Sequence, residues 1–224
     1  GLGYYKELID LQDVNGVEAQ LQHLLNTPIE SLADLEKWLE GEKDLVNKIT
    51  EALAGHQIDF YRNTEDADIK SIFVHDQQVI LPLIMKYEAE LDKKCHESPY
   101  FHQLDEHLYG LMRRVRETKI KLFREENIPL FTKERELCTQ YDEWMGSLTV
   151  EWDWEEETFP LIDAKLSCLD RAVREKAYHA KVAALRQIKP EMDRIMDELV
   201  QLRHQIAVNA GFDNYRDYMF VSKN

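Results

Sequence analysis

The spacing of the histidines decides first whether this chain could hold a catalytic metal. A helical zinc site of the His-Glu-x-x-His type needs two histidines four residues apart, so that both imidazoles leave one helix face toward one ion. No two of the eight histidines are four apart. His96-Glu97 begins the string, but Tyr100 stands where the second histidine is required. The sequence therefore predicts no metal ligand and no bound zinc in this chain.

Other residue types that carry chemistry form no recognisable constellation either. His96, His102 and His107 follow at spacings of six and five residues, which would direct them to different sides of one helix. The sequence has no G-x-S-x-G turn, no glycine-rich phosphate loop and no cysteine in a catalytic signature. We predict no catalytic residue here, and the substrate-binding residues stay unknown.

Charge and cysteine usage limit the partners and the compartment. The 224 residues contain 28 Lys and Arg against 43 Asp and Glu, a formal charge of −15. Such a field repels phosphate backbones, so we expect no nucleic-acid partner. Cys95, Cys138 and Cys168 are odd in number and widely spaced, which argues against a disulfide framework and favours a reducing compartment. We therefore predict a cytoplasmic protein.

No segment predicts a membrane span or a signal peptide. The longest apolar run, residues 79–85, is interrupted by Pro82 and is far shorter than the ~20 residues that a membrane helix needs. The first six residues lack the charged-then-apolar pattern of a signal peptide. We expect no membrane partner.

The hydrophobic pattern predicts a mainly α-helical chain with one β-hairpin. Apolar residues recur at helical spacing over residues 17–25, 32–61, 66–95, 104–126, 130–145, 170–185 and 190–210. Ser31 followed by Asp34 predicts an N-cap. Pro82 should kink or split the third segment, and Pro190 suits the first turn of a new helix.

Residues 147–159 switch to a period of two, which predicts two strands joined at Asp153-Trp154. A type I′ turn would prefer Asp-Gly there, because both central residues need positive φ. Trp152 is expected in the core and Trp154 at the loop tip. The alternative is that these two and Trp144 form a peptide-contacting wall or a docking surface for a catalytic part. Tyr215, Tyr218 and Phe220 are expected in the core or at a hinge toward a following segment.

Five segments carry a resemblance to a known family: 27–39 (TPIESLADLEKWL), 124–130 (REENIPL), 148–153 (LTVEWD), 170–178 (DRAVREKAY) and 202–218 (LRHQIAVNAGFDNYRDY). Together they resemble the oligoendopeptidase F family, in the thimet-oligopeptidase superfamily of zinc peptidases. Their order matches the family's over nearly the whole chain. The third departs from it, since Trp154 stands where the family usually has glycine.

The resemblance implies a multi-helix N-terminal wall of a bowl-shaped zinc peptidase. It divides the chain into 1–126, an N-terminal helical region, and 127–224, the hairpin and long helices that lead into a catalytic domain. The parent enzyme would hydrolyse short peptides with zinc, whose ligands lie in the later part, so the chain alone is predicted inactive. Its partners would be that C-terminal catalytic part or a second copy, because Ile206, Phe212, Tyr215 and Phe220 would lack some of their contacts. The alternative is a stand-alone helical module that binds proteins or peptides without catalysis.

Overall fold

The computed structural model describes residues 9–224. The first six residues, where the sequence predicts no signal peptide, lie outside the described range. The helices are α1 Val14–Asn26, α2 Leu32–Arg62, α3 Ala67–His75, α4 Leu81–Glu97, α5 Glu106–Leu122, α6 Asn127–Gly146, α7 Phe159–Leu166, α8 Arg171–Asn209 and α9 Tyr215–Lys223. The strands are β1 Thr149–Trp152 and β2 Glu155–Thr158. The predicted mainly α fold with one hairpin is confirmed.

Polar caps begin several of the helices. Ser31 Oγ accepts a hydrogen bond from the amide of Asp34 at 3.0 Å, and Asp34 Oδ2 accepts one from the amide of Glu30 at 3.0 Å. These bonds satisfy backbone donors that have no partner inside the helix. The predicted cap at the start of α2 is confirmed.

The segment around Pro82 divides as predicted. α3 ends at His75, a π-helical turn covers Asp76–Ile80, and α4 begins at Leu81, so that Pro82 lies in its first turn. A proline needs no backbone donor in that position. Single π turns inside helices occur often at functional sites, which draws attention to Asp76.

Pro190 behaves differently from the prediction. α8 continues through it as one helix from Arg171 to Asn209, whereas the sequence predicted a break before it. Proline removes one backbone hydrogen bond, but Ile188 and Ile195 on either side are both buried. Packing of this apolar face outweighs the lost bond.

The helix α8 ends at a glycine in the left-handed conformation. Gly211 has φ of 89°, and the amide of Phe212 reaches back to the carbonyl of Ala207 at 2.9 Å. A side chain would strain this backbone conformation, so the glycine explains why the helix stops here.

The chain divides into two compact units. The first contains the described residues up to Thr132 together with Ile206–Asn224, and the second contains Lys133–Gln205. The boundary that the sequence suggested at residue 126 stays a prediction. The core of the first unit includes Leu35, Trp38 and Leu91, and residues of α1, α2 and α4 supply most of it.

The second unit packs its hairpin against helices. Val150 and Trp152 of β1 join Ile162 of α7 and Ala177 of α8 in one apolar cluster. The two strands are antiparallel, with Trp152 opposite Glu155 across the turn. Within residues 9–224, no helix is both long and apolar enough to cross a bilayer.

Candidate functional site

The three clustered histidines lie on three different elements. His96 is on α4, His102 on a 3₁₀ turn at Phe101–Gln103, and His107 on α5. The ring centroids of His96 and His102 are 6.5 Å apart, and His96 Nε2 lies 4.0 Å from Glu117 Oε1. Over the described part of the chain, no group of three His, Cys, Asp or Glu side chains could hold a metal ion. The described residues therefore offer no three-ligand set of the kind that a catalytic zinc uses.

The most developed polar arrangement lies in a groove of about 710 Å³ between α2, α4 and α5. One side of this α5 groove is apolar and exposed: Leu108 is 74% exposed, Leu111 70% and Val115 46%. The helical spacing of apolar residues over 104–126 places these three on one face of α5, and the structure leaves that face exposed. An amphipathic face without a partner marks an interaction site.

A buried ionic network forms the base of the α5 groove. Arg116 donates from both terminal nitrogens to Glu42, at 3.1 and 2.5 Å, and from Nη1 to Asp92 Oδ1 at 2.9 Å. The Arg116 side chain is only 7% exposed. Its guanidinium also lies 6.0 Å from the ring centroid of Trp38. The forked N–H donors of arginine suit the contact with the two carboxylates, Glu42 and Asp92.

Burial and neighbouring charges shift the pKa values of Asp92 and Arg116. Desolvation raises the pKa of Asp92 to about 6 and outweighs the attraction of Arg116. For Arg116, burial lowers the pKa, but the hydrogen bond and charge of Glu42 more than offset it and leave the pKa above its ordinary value. Arg116 is therefore charged and bonded to two carboxylates, which suits it to fixing three helices together rather than to proton transfer.

A second polar pair fixes the π-helical turn. His56 Nδ1 on α2 lies 2.5 Å from Asp76 Oδ2, and Asp76 is 2% exposed. Burial raises the pKa of Asp76, and the bond to His56 offsets part of this effect. A histidine oriented by a carboxylate is one part of many catalytic triads. Because no nucleophile motif accompanies it in the sequence, the geometry supports a clamp between α2 and the turn.

The aromatic residues of the second unit have divided roles. Trp152 is buried, and Lys176 Nζ lies 4.3 Å from its ring centroid. Trp154 is 94% exposed at the tip of the hairpin. The expectation of a core Trp152 and a loop-tip Trp154 is confirmed. Trp144 is 36% exposed.

The C-terminal aromatic residues are partly covered. Tyr218 is buried and stacks on Tyr215 with centroids 6.0 Å apart. Phe220 is 71% exposed, as expected for a residue that lacks contacts. Ile206 is fully buried, so the expectation that it would lack partners is wrong. It lies in α8 beside Asn127, whose Nδ2 donates to the Ile206 carbonyl at 3.1 Å.

Solved structures of peptidases superpose on nearly the whole of this chain. A chain assigned as oligoendopeptidase F superposes with a TM-score of 0.87 at 21% identity, over 97% of this chain and 39% of its own length. PZ peptidase A, solved with an inhibitor, gives 0.84 at 19% identity, over 97% and 39%. A chain from Bacillus anthracis, also assigned as oligoendopeptidase F, gives 0.80 at 21% identity, over 99% and 40%.

The chain shares its fold with part of these peptidases. The resemblance that the sequence suggested is thereby confirmed at the level of the fold. The chain spans about 40% of the length of the structures that it matches. No family model and no curated protein matches its sequence.

Sequence reasoning missed both polar arrangements. Glu42 and Arg116 are separated by 74 residues, so no local spacing links them. The sequence does contain one indication of a buried charge pair: Asp92 and Arg116 directly follow the apolar residues Leu91 and Val115 on their helices. Charged groups at the edge of an apolar stripe are candidates for buried pairs.

Proposed function

We propose that this chain is the non-catalytic helical part of a zinc-dependent oligopeptidase that hydrolyses short peptides. The observation that carries the proposal is the fold, which the chain shares with peptidases over 97% of its residues. The five ordered sequence segments support the same parent enzyme.

Zinc belongs to the proposed parent enzyme rather than to this chain. When bound there, it would polarise the scissile carbonyl and activate a water molecule. The residues described here do not assemble a ligand set, so we assign no step to them. In this proposal they support the catalytic part.

The α5 groove is the proposed contact with that part. Leu108, Leu111 and Val115 project from a helix that the Arg116 network holds rigidly against α2 and α4. A rigid apolar face loses little conformational entropy when it is covered. We therefore expect the C-terminal catalytic part to bury it.

The compartment proposed for the enzyme is the cytoplasm. The three cysteines are free, and burial raises the pKa of the Cys95 thiol to about 11. A thiol with so high a pKa is inert at neutral pH. These properties suit a reducing environment.

Co-expression tests the proposal. The coding sequence beyond residue 224 is read for a His-Glu-x-x-His helix, and the encoded part is expressed with and without this chain. We expect hydrolysis of an internally quenched short peptide and one zinc per complex only when both parts are present. Leu111→Asp should weaken the complex, whereas Leu169→Asp, at a position that is 98% exposed in the second unit, should not. Zinc-dependent hydrolysis by this chain alone would overturn the proposal.

The second candidate function is binding of a partner helix or peptide without catalysis. The apolar side of the α5 groove favours it, because helix-binding grooves present such residues at helical spacing. If no catalytic part is encoded and Leu111→Asp abolishes capture of an amphipathic peptide, this function is preferred.

A further inference from the structure

The tip of the hairpin holds a bulky residue in an unfavourable conformation. Asp153 and Trp154 have φ of 49° and 72°, the left-handed region that favours glycine. Trp154 is also 94% exposed, so its side chain gains little packing against residues 9–224 to offset the strain. Strained, exposed aromatic residues occur at binding sites, where tryptophan is a common anchor.

Acidic side chains surround this tryptophan. Glu155 and Glu156 follow it on β2 and are both exposed. Neither has an ion-pair partner within the described range, residues 9–224. The hairpin thus presents an apolar knob beside two free negative charges.

A complementary surface lies elsewhere in the second unit. An apolar groove of about 460 Å³ runs between α6 and α8 and is lined by the flexible side chains of Met145, Met192 and Met196. We call it the methionine groove. Methionine adapts to the shape of a guest and makes favourable contacts with aromatic rings.

The rim of the methionine groove is basic. Arg186 and Lys189 both line it. Lys189 is paired with Asp193 at 2.8 Å, while Arg186 makes no ion pair with any residue from 9 to 224. Arg186 is exposed, so its charge is available to attract an acidic guest to the groove.

We propose that Trp154 of one copy occupies the methionine groove of a second copy. Glu155 and Glu156 then face Arg186 and Lys189 of the other chain. Because knob and groove are on the same unit, the contact can form twice across a two-fold axis, which closes a dimer. This inference is independent of the proposed peptidase function.

Sedimentation over a concentration series tests the proposal. We expect the wild-type chain to dimerise with rising concentration and Trp154→Gly to weaken the dimer at least tenfold. Glycine suits the turn, so this variant keeps its fold, which circular dichroism verifies. Leu169→Ala, at a position that is 98% exposed but outside both surfaces, is the matched control and should dimerise like the wild type.

Charge-reversal variants test whether the methionine groove is the surface that receives Trp154. Arg186→Glu with Lys189→Glu should weaken the dimer, and adding Glu155→Lys with Glu156→Lys should restore it. A mixture of Trp154→Gly chains with the Arg186→Glu, Lys189→Glu chains should form mixed dimers through the one intact contact. A chain that stays monomeric at about 0.5 mM, where a Kd of roughly 1 mM would still give measurable dimer, overturns the proposal. A dimer that ignores Trp154→Gly, or a charge reversal without rescue, overturns it as well.

Discussion

Replacing Arg116 by methionine should destabilise the first unit strongly. The variant removes the guanidinium that bonds both Glu42 and Asp92, whose side chains are 14% and 11% exposed. Breaking a buried ion pair by removing one partner costs about 3–5 kcal/mol, because the remaining charges stay desolvated. Asp92 has a pKa of about 6 and can take up a proton to relieve part of this cost, so we expect about 3 kcal/mol at pH 8.

Urea unfolding followed by circular dichroism measures this loss. The control is Arg114→Met on the same helix, which breaks a solvent-exposed pair with Glu106 and should leave the free energy of unfolding nearly unchanged. The loss in Arg116→Met should shrink at pH 5, where protonation neutralises Asp92. Replacing Glu42 by glutamine and Asp92 by asparagine in the same chain should recover most of it. Equal losses of unfolding free energy in the two arginine variants, or a loss in Arg116→Met that does not change with pH, would contradict this prediction.

Three further predictions concern single residues. The raised pKa of Asp92 favours folding when the group is protonated, so its contribution is present below the unfolded value of 3.8 and is lost as pH rises to about 6. Asp92→Asn should remove this dependence, worth up to about 3 kcal/mol, from pH-dependent unfolding curves. Trp154→Gly should raise stability by about 1 kcal/mol, seen as a higher Tm, because it relieves left-handed strain. Asn127→Ala should cost about 1–3 kcal/mol in urea unfolding, because the buried amide bonds both Ile206 and Asn209; a smaller loss would show that these bonds contribute little.

Local signals in the sequence were enough to predict much of the fold. Ser31 and Asp34 identify a helix start, and the alternation around Trp152 identifies a strand, because both patterns depend on neighbouring residues. Pro82 predicted the division between α3 and α4 for the same reason, because a proline acts on the helix turn next to it. The helix break predicted before Pro190 was wrong, because the buried packing of Ile188 and Ile195 outweighs the helix-breaking effect of one proline.

The candidate site could not be predicted in the same way. The Arg116 network joins residues from three helices that are far apart in the sequence. Periodicity showed that Leu108 and Leu111 share a face, but it does not tell whether the covering surface belongs to the same chain. Only the packed structure shows that this face is open.

We propose above that this chain supports catalysis by a separate C-terminal part. The most direct test is to titrate the chain into a fixed amount of the part encoded beyond residue 224 and to measure hydrolysis of a short quenched peptide. We expect a zinc-dependent rate that rises and saturates at one chain per catalytic part. A rate that is unaffected by the chain, or hydrolysis by the chain alone, would contradict it.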